Sequence, residues 1–331
     1  MLQAVAHLRT QAPSAPLVWG SGFESHATLL AQLSRRGPML GAPPSALQVL
    51  RDPHAWTRLL ERLAIAHPRV AVGRVPRQGA WLAKRAGQSG GAHVRFAAAG
   101  TALGAREYAQ RLVPGRALSV VFVAGGHDLR LAGCCEQLFS PTPESPFRHA
   151  GSVALTPDAL SRSLRRELQR AVESLVDALA LRGLCGIDFV LQPDGAWQLI
   201  ELNARPPSSF DLHVAAGAMF RAHLAACLGQ RLPVLRPLAL RRAQAVHYAP
   251  SALRIPNSID WPAWVADRPH RGSSVPAGAP VCTVRASGAT PAVALRRLHA
   301  RLDRLRGWLG DAARRLPRTS LEILAGEHLH E

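Results

Sequence analysis

The chain has 331 residues, of which 47% are hydrophobic and 19% charged, a balance that suits a globular protein with a large core divided into two or three domains. Its formal net charge of +18 raises nucleic acid as a partner, but the arginines are scattered and aromatics make up only 5%, so no basic block is interleaved with stacking rings and specific nucleic-acid binding is not expected. No apolar run approaches the roughly 18 residues of a membrane span, the N-terminal segment lacks the pattern of a secretory leader, and a cytoplasmic location is the expectation.

Leu17 to Ser25 reads as a strand and turn, and Ala27 to Leu33 as a helix. Gly20-Ser21-Gly22 is too short for a dinucleotide site and reads as a tight turn. Asp52 followed by Pro53 is a good N-cap and N1 pair for a further helix. Of the 40 Lys plus Arg residues 39 are arginine, and Lys84 is the only lysine. A drift to arginine wherever either cation serves leaves lysine where a compact ammonium is required in place of a planar fork. Lys84 ends a strand that runs into a loop containing Ser89, Gly90 and Gly91, whose bare backbone N–H groups suit phosphate oxygens. Chance survival of one lysine is the plainer alternative.

Tyr108 to Arg116 leads into an apolar run from Ser119 to Ala124. The Pro-rich stretch from Glu136 to Gly151 reads as a loop whose Arg148 and His149 face an acceptor substrate, or as an ordinary connection. Thr156-Pro157-Asp158 is the expected cap of a long helix in which Leu160, Leu164, Leu168, Val172, Leu175 and Leu179 recur at helical spacing, ending near Gly183. The five cysteines, Cys134, Cys135, Cys185, Cys227 and Cys282, show neither ligand spacing nor a disulfide framework and read as small apolar residues. The 14 histidines are likewise dispersed.

The segment from Gly183 to Pro206 is the most informative. Apolar runs Ile187 to Leu191 and Trp197 to Leu202 flank Pro193-Asp194-Gly195, which is turn chemistry, so a hairpin is predicted. With residues 193 to 196 as the loop, Gln192 pairs with Trp197, Leu191 with Gln198 and Asp188 with Glu201, and the period of two puts Asn203 on the same face. Two acids directly opposite on a sheet call for a compensating cation, and hard oxygen ligands of this type suit Mg²⁺. Arg205 follows on that face, suited to a phosphoryl or carboxylate oxygen. The alternative is a solvated hairpin whose acids pair with Arg182 and Arg205.

The run GIDFVL, turn, WQLIELNARP resembles the metal-binding end of the ATP-grasp fold, with an acid in the first strand followed by Glu-x-Asn-x-Arg. The resemblance implies an α/β (α+β) chain that binds ATP and Mg²⁺. Glu201 and Asn203 would hold the metal with Asp188 in support, Arg205 would steady an acyl phosphate, and Lys84 with Ser89, Gly90 and Gly91 would cover the phosphates. Gln110, Arg111, Leu112 and Val113 resemble the hinge whose main chain meets the adenine edge. The acid that usually binds the ribose there is absent, with none before Asp128, and the second lysine of many relatives is missing, leaving Arg74 or Arg77 to substitute.

The implied domains are a short pre-ATP-grasp α/β domain at 1–66, the ATP-grasp domain at 67–228, and a C-terminal β-rich region with a helix from Ala292 to Leu309 at 229–331. Val281 to Ala286 is a predicted strand, and the stretch around it resembles the C-terminal region of carboxylase-type and carbamoyl-phosphate-synthesising ATP-grasp proteins. The implied activity is that of an ATP-dependent carboxylate-amine ligase acting on small molecules. The pattern is reminiscent of the ligases that methylotrophs and methanogens use in furan and pterin cofactor biosynthesis. A homodimer is consistent with similar proteins. An ATP-grasp kinase and a non-catalytic nucleotide-binding regulator are the alternatives.

Overall fold

The computed structural model describes residues 5, 7, 10–12, 14–126 and 128–314. The chain divides into two units, Met1–Ala239 and Leu240–Glu331. The first begins with strand β1 (Leu17–Val18), parallel to β2 (Met39–Leu40), and helices α1 (Ala27–Arg35), α2 (Pro44–Arg51) and α3 (Pro53–Arg62). The Asp52 carboxylate accepts hydrogen bonds from the main-chain N–H groups of His54 at 2.9 Å and Ala55 at 3.2 Å, which caps α3. Trp19, Leu30, Leu33, Leu47 and Leu60 bury the apolar faces.

A four-stranded antiparallel sheet follows, ordered β3 (Val70–Val72), β6 (Glu107–Arg111), β4 (Trp81–Arg85), β5 (Arg95–Ala97). Next come the long strands β7 (Arg116–Gly125), β8 (Asp128–Phe139) and β9 (His149–Ala154), helix α4 (Arg162–Leu179), strands β10 (Gly183–Leu191) and β11 (Trp197–Asn203), and helix α5 (Ala216–Cys227). These strands lie antiparallel in the order β11-β10-β7-β8-β9.

From Val120 to Ala124 strand β7 is an unbroken apolar run because helices cover both of its faces. Leu118, Val120, Phe122 and Ala124 pack with Leu164, Leu168, Val172, Leu175 and Leu179 of α4. Val121 and Val123 pack with Leu184 and with Met219, Ala222 and Ala226 of α5. Gly183 has φ +83°, and a Cβ there would lie 2.4 Å from His223 Nδ1, so a larger residue would displace α5. The same imidazole nitrogen accepts from the Leu184 N–H at 2.9 Å. The segment up to Ala239 stays with this unit through Leu232, which packs beside Val121, and the Leu238 N–H, which donates to the His213 carbonyl at 2.8 Å.

Helix α4 begins later than its sequence suggests. The N-cap is Ser161, whose hydroxyl accepts from the Leu164 N–H at 3.1 Å, and Thr156-Pro157-Asp158 lies in a turn before it. Leu160 is buried from that turn, which is why it keeps the helical apolar spacing without being helical. The Trp197 indole donates to Glu167 at 3.1 Å and ties the helix to β11.

The second unit contains β12 (Arg241–Tyr248), β13 (Leu253–Arg254), β14 (Val265–Ala266), β15 (Ser274–Val275), β16 (Pro280–Gly288) and α6 (Pro291–Arg314). Strands β12 and β14 pair antiparallel with β16, and β13 pairs with β15. Ala294, Leu298, Leu302 and Leu305 form the buried stripe of α6. Strand β12 has no counterpart in the sequence reading, whereas β16 and α6 lie where they are predicted. His328 and His330 of the C-terminal tail lie outside the described residues.

Ser161→Ala should lower stability by about 1 kcal/mol in urea titration, the usual worth of a helix N-cap, while Thr156→Ala, in the turn, should change it by less than about half that.

Candidate active site

The hairpin closes as its turn chemistry dictates. The Gly195 N–H donates to the Gln192 carbonyl at 3.0 Å, the Gln192 N–H to the Ala196 carbonyl at 2.8 Å, and Gly195 adopts φ +88°. The loop is one residue shorter than counting predicts, and the pairing near it slips accordingly. Leu191 faces Trp197, Val190 faces Gln198 and Phe189 faces Leu199. Asp188 nevertheless faces Glu201, because an irregularity between Asp188 and Phe189 leaves Ile200 as an extra residue and restores the register. The expected facing acids are therefore present for a reason that the counting did not contain.

Asn203 donates through Nδ2 to Asp188 Oδ2 at 3.0 Å. Burial and then the neighbouring Glu201 carboxylate push the Asp188 carboxyl up to about 7, against the opposing pull of Asn203, Arg205 and Lys84. Lys84 comes from β4, where it faces Tyr108 of β6. Its ammonium is buried and is lowered by that burial, while Glu201 and Asp188 favour its charge. Tyr108 is raised by burial and by Glu201. Arg205 is buried and donates through Nη1 to the Pro206 carbonyl at 3.2 Å.

One cleft is lined by Lys84, Gly87, Gln88, His93, Tyr108, Gln110, Glu201 and Asn203, with Leu47 and Trp56 on its apolar side. Among the described residues no group of three or more His, Cys, Asp and Glu side chains is placed to hold a metal. Two carboxylates and an amide fit a divalent cation that takes its remaining ligands from a phosphate chain, and the raised Asp188 marks a place where such a charge would relieve repulsion.

Gly87, Gly90 and Gly91 have φ of +75°, +79° and +73°. A Cβ on Gly91 would fall 2.0 Å from the Phe147 carbonyl oxygen, so only glycine permits this approach. The loop is also held by the His149 N–H, which donates to the Gly90 carbonyl at 2.9 Å, and by the Ser145 hydroxyl, which donates to Ala92 at 3.0 Å.

Gln110, expected at the hinge, is buried and lines the cleft. Arg111 turns away, donating to the Gln78 carbonyl at 3.1 Å with its guanidinium 5.9 Å from the Trp81 ring centroid. Two hinge N–H groups are committed elsewhere: that of Arg111 donates to Arg69 and that of Leu112 to Ala80, each at 2.9 Å. Arg111, Leu112 and Val113 are absent from the cleft lining. Arg74 donates to the Gly100 carbonyl.

Arg148 and His149 part company. Arg148 closes its own loop, donating to the Ser140 carbonyl and hydroxyl, both at 3.0 Å. The His149 ring lies near Arg205, and burial followed by that guanidinium holds it below its ordinary value. Sequence reasoning passed over His93, and also a buried pair in which Cys135 Sγ lies 3.2 Å from His213 Nε2. Burial raises the Cys135 thiol well above its ordinary value, which argues for packing over nucleophilic chemistry.

The sequence and the fold resemble known proteins. Residues 53–209 match the ATP-grasp domain family. The biotin carboxylase domain of Hydrogenobacter thermophilus 2-oxoglutarate carboxylase, a dimer in complex with MgADP, ADP and bicarbonate, aligns with a TM-score of 0.70 at 10% identity, over 90% of this chain and 76% of that one. The N5-carboxyaminoimidazole ribonucleotide synthetase of Thermus thermophilus aligns with a TM-score of 0.68 at 20% identity, over 92% and 85%. Campylobacter jejuni biotin carboxylase, in a β,γ-ATP complex, aligns with a TM-score of 0.66 at 11% identity, over 89% and 76%. No protein of curated function matches the sequence. Residues 53–209, just under half of the chain, thus match the ATP-grasp domain family, and the chain shares the fold of these solved structures.

Because the folded-state value of Asp188 is raised, the folded chain holds a proton that the unfolded chain releases near pH 4, and stability contributed by this group falls as pH rises from there through about 7. Asp188→Asn should therefore raise the melting temperature of the ligand-free chain more at pH 8 than at pH 5. Equal effects at the two pH values would contradict the Asp188–Glu201 repulsion.

Proposed function

We propose that this chain is an ATP-dependent ligase that activates a substrate carboxylate as an acyl phosphate for capture by an amine, with release of ADP and phosphate. The observation that carries the reading is the facing pair Asp188 and Glu201, of which Asp188 accepts a hydrogen bond from Asn203 while Glu201 lines one cleft with the only lysine of the chain. The match of residues 53–209 to the ATP-grasp domain family supports it.

Phosphoryl transfer of this kind asks the protein for position and charge neutralisation, with no protein nucleophile. Glu201 and Asn203, with Asp188 behind them, would hold Mg²⁺, which neutralises phosphate charge when bound. Lys84 places a compact cation at the phosphate chain, and its burial strengthens that interaction because little water screens it. The backbone of the loop from Gly87 to Gly91 covers the phosphates from one side. Arg205, buried beyond Asn203, would steady the transferring group and the acyl phosphate. Gln110 closes the nucleotide end of the cleft. The acceptor is placed at the His149 and Arg205 end, since Arg148 is occupied within its own loop. Cofactor biosynthesis is the setting that the sequence pattern favours.

Mg·ATP-dependent ADP release from a pooled set of carboxylic acids and amines measures the activity. Glu201→Ala should reduce it by about 10²-fold or more, and unchanged release would remove the metal assignment. Lys84→Arg should lose most activity despite the preserved charge, because the planar fork does not fit the site of a buried ammonium. Hydroxylamine supplied with the active acid should yield its hydroxamate. ADP release without hydroxamate, with phosphate transferred to a hydroxyl, would show a kinase.

A further inference from the structure

His93 lies after the glycine-rich loop and lines the same cleft as Lys84, Tyr108 and Glu201. Its Nδ1 is buried without a hydrogen-bond partner. The main chain of Ser89 beside the ring favours its protonated form, and with Nδ1 unpartnered we assign the proton of the neutral ring to Nε2. Burial, Lys84 and Arg85 hold the imidazole far below its ordinary value, at about 4, so it is neutral near pH 7. A neutral ring with its proton on Nε2 presents a bare lone pair at Nδ1.

Buried acceptors are rarely left without a donor, and here the group points to a ligand. An ionised phosphate chain has no donor to offer. On a nucleotide the donors are the amino group of the base and the ribose hydroxyls. The hinge carries no acid between Gln110 and Asp128 that would accept from either.

We propose that His93 Nδ1 accepts a hydrogen bond from the nucleoside part of the bound nucleotide, and so serves as a selectivity residue of the cleft. This rests on the nucleotide-binding reading given above. It gives the cleft an acceptor in place of the acid that the hinge sequence lacks.

Calorimetric titration of the full chain with MgADP tests it. His93→Ala should weaken binding roughly 3- to 10-fold, the worth of one hydrogen bond, and His93→Gln, whose amide oxygen accepts, should stay within about twofold of the natural chain. Purine riboside diphosphate lacks the 6-amino group, and 2′-deoxy-ADP and 3′-deoxy-ADP each lack one hydroxyl. The analogue missing the relevant donor should bind the natural chain and His93→Ala equally, while the other two preserve the gap. Unchanged MgADP affinity in His93→Ala, or a gap that survives all three analogues, overturns the proposal and leaves the nucleotide reading intact. Absence of MgADP binding by the natural chain overturns both. Long-range ¹H–¹⁵N spectra of the natural chain give a readout independent of variant folding: the unprotonated Nδ1 resonance should move on MgADP addition, and a protonated or unmoved Nδ1 contradicts the assignment.

Discussion

Two carboxylates, Asp188 and Glu201, face each other across adjacent strands in a place from which water is largely excluded. Left alone such a pair is destabilising, and its cost is visible in the raised Asp188 carboxyl. The surrounding groups are those that a repulsive pair requires: an Asn203 amide donating to Asp188, and cations at Lys84 and Arg205. Each cation is itself buried, so neither acids nor bases are well served by the protein alone. Under the proposed function the site would be completed by charges brought to it, a divalent cation on the carboxylates and phosphates on the ammonium.

The helices decide where this polar end lies. Alternate residues of β7 and β10 enter two apolar layers, one under α4 and one under α5. Along the α5 face, Val123, Val121 and Leu184 are covered, whereas Asp188 and Ser119, which face each other farther along the same strands, are polar. The helix thus buries the apolar length of the face and leaves its polar end to the site. The glycine-rich loop is positioned by a separate contact, the approach of Gly91 to Phe147 and of Gly90 to His149.

Much of the make-up of the candidate site was legible from residue types. The single lysine, the glycines after it and the acid pair with its amide are chemical choices, and chemistry is what a sequence spells out directly. The helix cap was misplaced from Ser161 to Thr156 because a buried turn residue, Leu160, imitates one more step of helical periodicity. The Arg148 reading failed to separate the guanidinium from its neighbour: a loop arginine donates as readily to its own backbone as to a ligand, and here Ser140 receives it. His93 and the Cys135–His213 pair carried no signal, since their meaning depends on neighbours distant in the chain.

The sequence by itself determined which groups are available and on which strand each stands, because side-chain period and turn chemistry are local properties. Tertiary structure alone decided that Asp188 meets Glu201. The short turn slips the register by one residue, and the extra residue Ile200 returns it, a compensation that only the paired strands contain. Burial was also decided there. Lys84, Asp188 and Arg205 are ordinary charges in the sequence, and packing removes the water around them.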